Sequence, residues 1–402
     1  MTKMSDLPRD LTEEVLCRLP VTSLRAARFT CKKWNTFSTN RSFTKKHIGE
    51  AKAAAKKKHK KEFQVVMVLE HKVYLCSVNL ISTSIQRIGE LVSLDVAYRI
   101  NISKIFHCDG LLLCITNDIN SRLVVWNPYC GQTRWIQPLK SYHRRDKYAL
   151  GYDSCRSYKI LRFIDSYDGI WRRQKRLIRE FEIFDIKSNS WKVFDVTPDW
   201  TIESYHRGLS LKGNTYWFAQ EKLQVPCGTV VSDIADFLLC FDFTTERFGP
   251  RLPLPSHCFI DDTVTLSSVR DEQLAVLFQR WDTLEMKIWV TTKIEPNAVS
   301  WSKFLAVDMK PLTGFQFDIN AGSFLIDEKK KVAVVVDKNK AIKENRYKST
   351  RNIAYIIGKK GYFREVDLGE TTDATCYPLV CSYVPSSVQI KQASPQGNHN
   401  TP

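Results

Sequence analysis

The chain has 402 residues, of which 43% are hydrophobic and 26% charged, and its formal net charge is +17. That apolar content supports a large core in two or three domains and argues against wholesale disorder. No apolar run approaches the length of a bilayer span, and Asp6, Arg9 and Asp10 stand where a secretory signal needs an apolar stretch, so the expectation is an intracellular protein of nucleus or cytoplasm without membrane contact.

The N-terminal residues predict three short helices. Leu11, Val15, Leu16 and Leu19 share one face at helical spacing, Asp10 and Glu13 are placed as a cap, and Pro20 stops the run. Leu24, Ala27, Cys31, Trp34 and Phe37 continue a second stripe, with Thr22 or Ser23 as its cap and a break near Thr30. A unit of this size buries too little surface to be comfortably stable, so its stripes want a partner.

Leu7-Pro8, Leu11, Val15-Leu16, Arg18-Leu19-Pro20, Arg28, Cys31-Lys32 and Trp34 follow one another as in an F-box, and the chain resembles the F-box family here. The resemblance implies docking on a Skp-type adaptor and, through it, a cullin scaffold. Leu7, Pro8, Leu11, Val15, Leu16, Leu19 and Pro20 are the expected adaptor contacts, with Trp34 buried beneath or beside them. The alternative is a helical cap on the next domain, with these residues as its core.

Residues 49–62 follow as a solvated helix or linker, with six lysines and one glutamate in 51–62. A charged spacer, a nuclear import signal and a phosphate-binding patch all fit that composition.

From residue 63 short apolar runs bounded by turn residues predict strands, beginning with 63–69 and 73–78 around Glu70-His71-Lys72. One unit recurs: an apolar strand, an Asn or Asp, a polar turn, then an aromatic. Asn127 leads to Trp135, Asp185 to Trp191 and Asp242 to Phe248, and the three Asn/Asp positions lie 58 and 57 residues apart. That period suits blade-like sheets. A degenerate copy runs from Ile288 to Trp301. The fold class expected is α+β and multidomain: a three-helix unit at 1–48, the linker at 49–62, a large mainly-β, propeller-like domain at 63–385 and a disordered tail at 386–402. A two-sheet sandwich is the other assembly these strands allow.

Cys108-Asp109-Gly110-Leu111-Leu112-Leu113, Trp126-Asn127-Pro128, Leu150-Gly151-Tyr152-Asp153 and Lys159-Ile160-Leu161-Arg162 are similar to the plant F-box-associated domain, a kelch relative. The double glycines of true kelch repeats are missing.

The twelve cysteines are scattered, several in apolar runs, with no Cys-x-x-Cys, and read as reduced packing residues. His107-Cys108 and His257-Cys258 read the same way, since strand neighbours point to opposite faces. No metal, cofactor or catalytic residue is expected: a Gly-rich phosphate loop, a Gly-x-Ser-x-Gly elbow and a His-Glu-x-x-His pair are all missing. What the family resemblance implies is a non-catalytic receptor that holds a protein substrate for ubiquitination, raising its effective concentration near the conjugating enzyme. For the substrate contact the sequence offers the loop with Trp171, Arg172, Arg173, Lys175 and Arg176, where basic residues beside an aromatic suit an acidic or phosphorylated protein. A solvated loop fits equally. The rival reading is a basic nucleic-acid-binding protein that uses this loop and the linker.

Overall fold

The computed structural model describes residues 8–390, except 20, 39, 58–61, 81–83, 91–100, 118–120, 142, 144, 169–175, 223–233, 260, 271, 321–322, 340–349 and 374–375. Four helices open the chain: α1 (Arg9–Cys17), α2 (Val21–Thr30), α3 (Lys32–Ser38) and α4 (Arg41–Lys57). The break between α2 and α3 falls beside Thr30, as the stripe predicts. The caps differ. Pro8 holds the N-cap of α1 with no side-chain cap, and its carbonyl accepts the Thr12 N–H at 2.9 Å and the Thr12 hydroxyl at 3.0 Å. Asp10 lies in the first turn, where its charge suits the free N–H groups. Thr22 and Ser23 sit inside α2, which begins at Val21.

α4 runs uninterrupted through positions 48 and 49, where composition suggests the helical unit gives way to a linker. Its first turns bury Phe43, Thr44 and His47, and alanine and lysine, both good helix formers, carry it on. Leu16, Leu24, Ala27, Trp34 and Phe43 form one helical core.

The rest is a ring of six antiparallel sheets, a six-bladed β-propeller. The innermost strands are Leu379–Ser382, Ile102–Cys108, Lys147–Tyr152, Leu209–Leu211, Thr263–Val269 and Phe324–Asp327 for blades one to six. Blade one closes the ring. Its inner strand comes from the far end of the chain and pairs Val380 with Met67 and Cys381 with Val66 in Glu62–Leu69. Closure leaves few strand edges to aggregate.

The strands are apolar along their length because blades pack face to face. In Glu62–Leu69, Val65, Met67 and Leu69 pack toward blade six while Val66 and Val68 pack toward blade two. Similar clusters join blades two to three, three to four, four to five and five to six. No blade completes its core alone.

The recurring unit is the outer hairpin of each blade: Leu123–Asn127 with Gln132–Ile136, Arg176–Asp185 with Ser190–Val193, and Asp236–Asp242 with Arg247–Phe248. Its Asn or Asp turns the chain. Asn127 Oδ1 accepts from Cys130 N, Asp185 Oδ1 from Lys187 N and Asp242 Oδ1 from Thr244 N. Among the tryptophans of the blades, Trp126 and Trp217 are buried, while Trp135 and Trp191 are half-buried on blade faces.

The tail expected to be disordered from 386 is built into the fold as far as 390. The Asn127 side-chain amide donates to Ser386 O at 3.0 Å and Val388 O at 2.7 Å, Gln132 Nε2 donates to Gln389 Oε1 at 2.6 Å, and Ile390 is 5% exposed against blades two and three. Two apolar residues and a side chain that can satisfy buried carbonyls outweigh the polar composition. Residues 391–402 lie outside the described set.

Antiparallel order gives the ring two unlike faces. On the entry face, where the inner strands begin, the blade connections run long: 137–146, 194–208, 249–262 and 309–323. On the exit face, where they end, the turns are tight: 109–110, 128–131, 186–189, 212–213 and 243–246. Asp109, Asn189, Lys212 and Glu246 take left-handed backbone angles there.

Candidate functional site on two opposite faces

The first candidate surface is α1. Thr12 and Leu16 point inward, Leu16 being 0% exposed, while Leu11 and Val15, one turn apart, are 49% and 37% exposed beside an exposed Pro8. The predicted adaptor set therefore divides. Pro8, Leu11 and Val15 are available to a partner, Leu19 is partly so, and Leu16 and Trp34 are core. Leu16, expected among the adaptor contacts, shares Thr12's side at helical spacing and is buried in the helical core with Leu24 and Trp34. Leu7 and Pro20 lie outside the described residues.

Behind this face the helices are fastened to the exit face of blade two. Tyr129, 2% exposed, and Cys130 stand in the turn after Leu123–Asn127 and join the helical core. The buried Arg28 guanidinium donates to Ser38 Oγ at 3.1 Å, to Ser38 O at 3.3 Å and to Tyr129 O, and lies 5.5 Å from the Tyr129 ring centroid. His47 bridges the two units, with Nε2 2.8 Å from Leu19 O and Nδ1 2.8 Å from the Tyr129 hydroxyl. A carbonyl can only accept, so Nε2 donates to Leu19 O. Sequence reasoning missed Tyr129 and His47; an aromatic and a cysteine in a hairpin turn, where polar residues are usual, were the available signal.

The second surface is the mouth of the central channel on the entry face, a cavity of about 370 Å³. Three cations line it, each where a blade's inner strand begins: Lys104 in blade two, Lys147 in blade three and Arg207 just before Leu209–Leu211 in blade four. The ladder of Ile102–Cys108 breaks register between Ile102 and Lys104, a bulge of the kind that re-aims a side chain. Burial, and then the charges of Arg207 and Lys147, push the Lys104 ammonium down to about 8 against the weaker pull of Asp146. Burial also lowers Lys147, opposed by Glu203, Asp165 and Asp146. It lowers Arg207 as well, which nevertheless stays charged. His206 is pushed down to about 3 by burial and is neutral at pH 7.

Beneath the mouth, Arg162 is buried among carboxylates. Its Nε lies 2.9 Å from Asp146 Oδ2 and its Nη1 2.8 Å from Glu182 Oε2, and Tyr148 donates to Asp146 Oδ2 at 3.0 Å. This network pins Asp146 and so fixes where Lys147 starts its strand.

Trp171, Arg172, Arg173 and Lys175 lie outside the described residues; Arg176 begins its strand paired with Asp168, and that pair marks the entry-face end of the hairpin. The linker lysines 58, 60 and 61 are likewise outside the described set.

Comparison with known proteins agrees with this two-part build. The F-box domain matches residues 4–46, and the F-box associated beta propeller domain matches residues 64–390. An F-box/kelch-repeat protein of Arabidopsis thaliana is 70% identical over 398 residues, covering 97% of this chain and 100% of the relative. Another F-box protein of that plant is 54% identical over 421 residues, covering 97% and 100%. Among solved structures, YjhT aligns at 11% identity with a TM-score of 0.43, over 68% of this chain and 84% of that one. The molecule is a helical F-box unit set on a β-propeller. It belongs to the F-box proteins that carry an F-box associated beta propeller domain.

Proposed function

We propose that this chain is the non-catalytic substrate receptor of a cullin-based ubiquitin ligase, with its helical unit on a Skp-type adaptor and its propeller holding the protein to be modified. F-box domains bind Skp-type adaptors. The observation that carries the reading for this chain is the exposed Leu11 and Val15 pair on a helix whose other side is fastened, through Arg28, Tyr129 and His47, to the exit face of the propeller. Adaptor and substrate then occupy opposite ends of one body, so the receptor contributes position rather than chemistry.

The test is capture of a Skp-type adaptor by the full chain. Leu11→Asp with Val15→Asp places two charges against apolar surface and should weaken capture by about 2 kcal/mol or more, roughly thirtyfold. Leu16→Asp is unsuitable, because it unfolds the helical core. Undiminished capture by a folded double variant would refute the assignment of this face.

A further inference from the structure

We infer that the entry-face channel mouth is a phosphoryl-binding site and, building on the receptor reading above, that the phosphoryl group it takes is carried on a serine or threonine side chain of the bound protein. Lys104, Lys147 and Arg207 converge on one cavity from three blades that are far apart in sequence. Lys104 and Arg207 are half-buried, and among the described residues neither donates to a carboxylate or carbonyl.

Comparable cations elsewhere in the ring are matched. Lys159 Nζ lies 2.9 Å from Glu246 and 3.3 Å from Asp153, Lys338 Nζ donates to Asp373 O at 2.8 Å, and Arg162 holds two carboxylates. Among the described residues the one carboxylate lining the mouth, Asp146, is already engaged by Arg162 and Tyr148. Gathering like charges in a partly dry cavity costs stability unless an anion enters, which is the mark of a preorganised site.

The charge count selects the anion. A phosphoryl ester brings close to two negative charges and three strong acceptor oxygens to three cationic donors, whereas a carboxylate brings one charge. The cavity, about 370 Å³ and further lined by Asn117, Tyr205, Asn320 and Tyr377, is larger than a phosphate ion needs and leaves room for the residue that bears it.

The experiment is calorimetric titration of the full chain with four probes: the capped pentapeptide Gly-Gly-phosphoserine-Gly-Gly, the same peptide with glutamate in place of phosphoserine, inorganic phosphate, and a single-stranded uridine oligonucleotide. The phosphopeptide should bind more tightly than the other three. Lys104→Met and Arg207→Met should each weaken it at least tenfold while melting no lower than the wild type. Inorganic phosphate binding as tightly as the phosphopeptide would overturn the protein-borne source. Equal binding of the glutamate peptide, binding of the oligonucleotide alone, or unchanged affinity in both variants would overturn the phosphoryl site. Adaptor capture is measured on the same variants. Capture retained with phosphopeptide binding lost separates failure of this site from failure of the receptor reading.

Discussion

The exit and entry faces of the ring are made from the same strands, and they differ in what their polar groups have found. On the exit face the turns are short, Asn127 satisfies two carbonyls of the C-terminal segment, and Arg28 and His47 weld the helices to Tyr129. On the entry face the connections are long, and Lys104 and Arg207 face a cavity without anionic partners among the described residues. Spent hydrogen-bonding capacity marks the face that holds the molecule together, and unspent capacity marks the face proposed to receive a substrate. Substitutions of the spent groups on the first should lower stability; replacing Lys104 or Arg207 on the second should leave it unchanged or raise it.

The largest effect is expected from Arg28→Met. It strands the Tyr129 and Ser38 carbonyls in the core between helices and propeller, and the cost should be about 3 kcal/mol or more, read by thermal or urea unfolding of the full chain. Gly110→Ala should come next. Gly110 has a φ of +81°, and a Cβ there would meet the Val384 carbonyl and stand 2.8 Å from Ser386 N. The C-terminal segment must lift, costing roughly 2 kcal/mol and raising proteolytic cleavage near 386.

Lys104→Met should act in the opposite sense. The folded state holds the Lys104 pKa near 8, below its usual 10.5, so its charge is a burden that is fully present below pH 8. The burden lifts as pH climbs toward 10.5, because there the unfolded chain binds the proton and the folded chain does not. The variant should therefore be more stable than the wild type by roughly 1–3 kcal/mol at pH 7, with the advantage vanishing by about pH 10.5. Unfolding at both pH values checks this; a destabilised variant at pH 7 would show that Lys104 is structurally paired. The smallest effect belongs to Leu11→Ser with Val15→Ser. These residues are 49% and 37% exposed, so the melting point should move little, within about 0.5 kcal/mol, while adaptor capture falls.

What the sequence made legible follows from range. Helical spacing and the Asn or Asp turn signal are local, so the helices and the outer hairpins were readable, and the 58- and 57-residue spacing pointed to blades. Inner and outer faces of α1 were not separable, because Leu11, Val15, Leu16 and Leu19 form one broad stripe and only the positions of Leu24 and Trp34 decide which of them turn inward. The ordered segment 383–390 was hidden because its partner, Asn127, is far away in the chain. The channel mouth was hidden for the same reason: Lys104, Lys147 and Arg207 sit in unremarkable local contexts and meet only when the ring closes. The basic loop at 171–176, by contrast, carries a signal that is local.

The separation of a docking face from a receiving face is tested most directly by hydrogen–deuterium exchange on the full chain, free and bound to a Skp-type adaptor. The account predicts slowed exchange in 9–19 and no change in the entry-face segments 137–146 and 194–208. Protection of the entry-face segments, or none in α1, would contradict it.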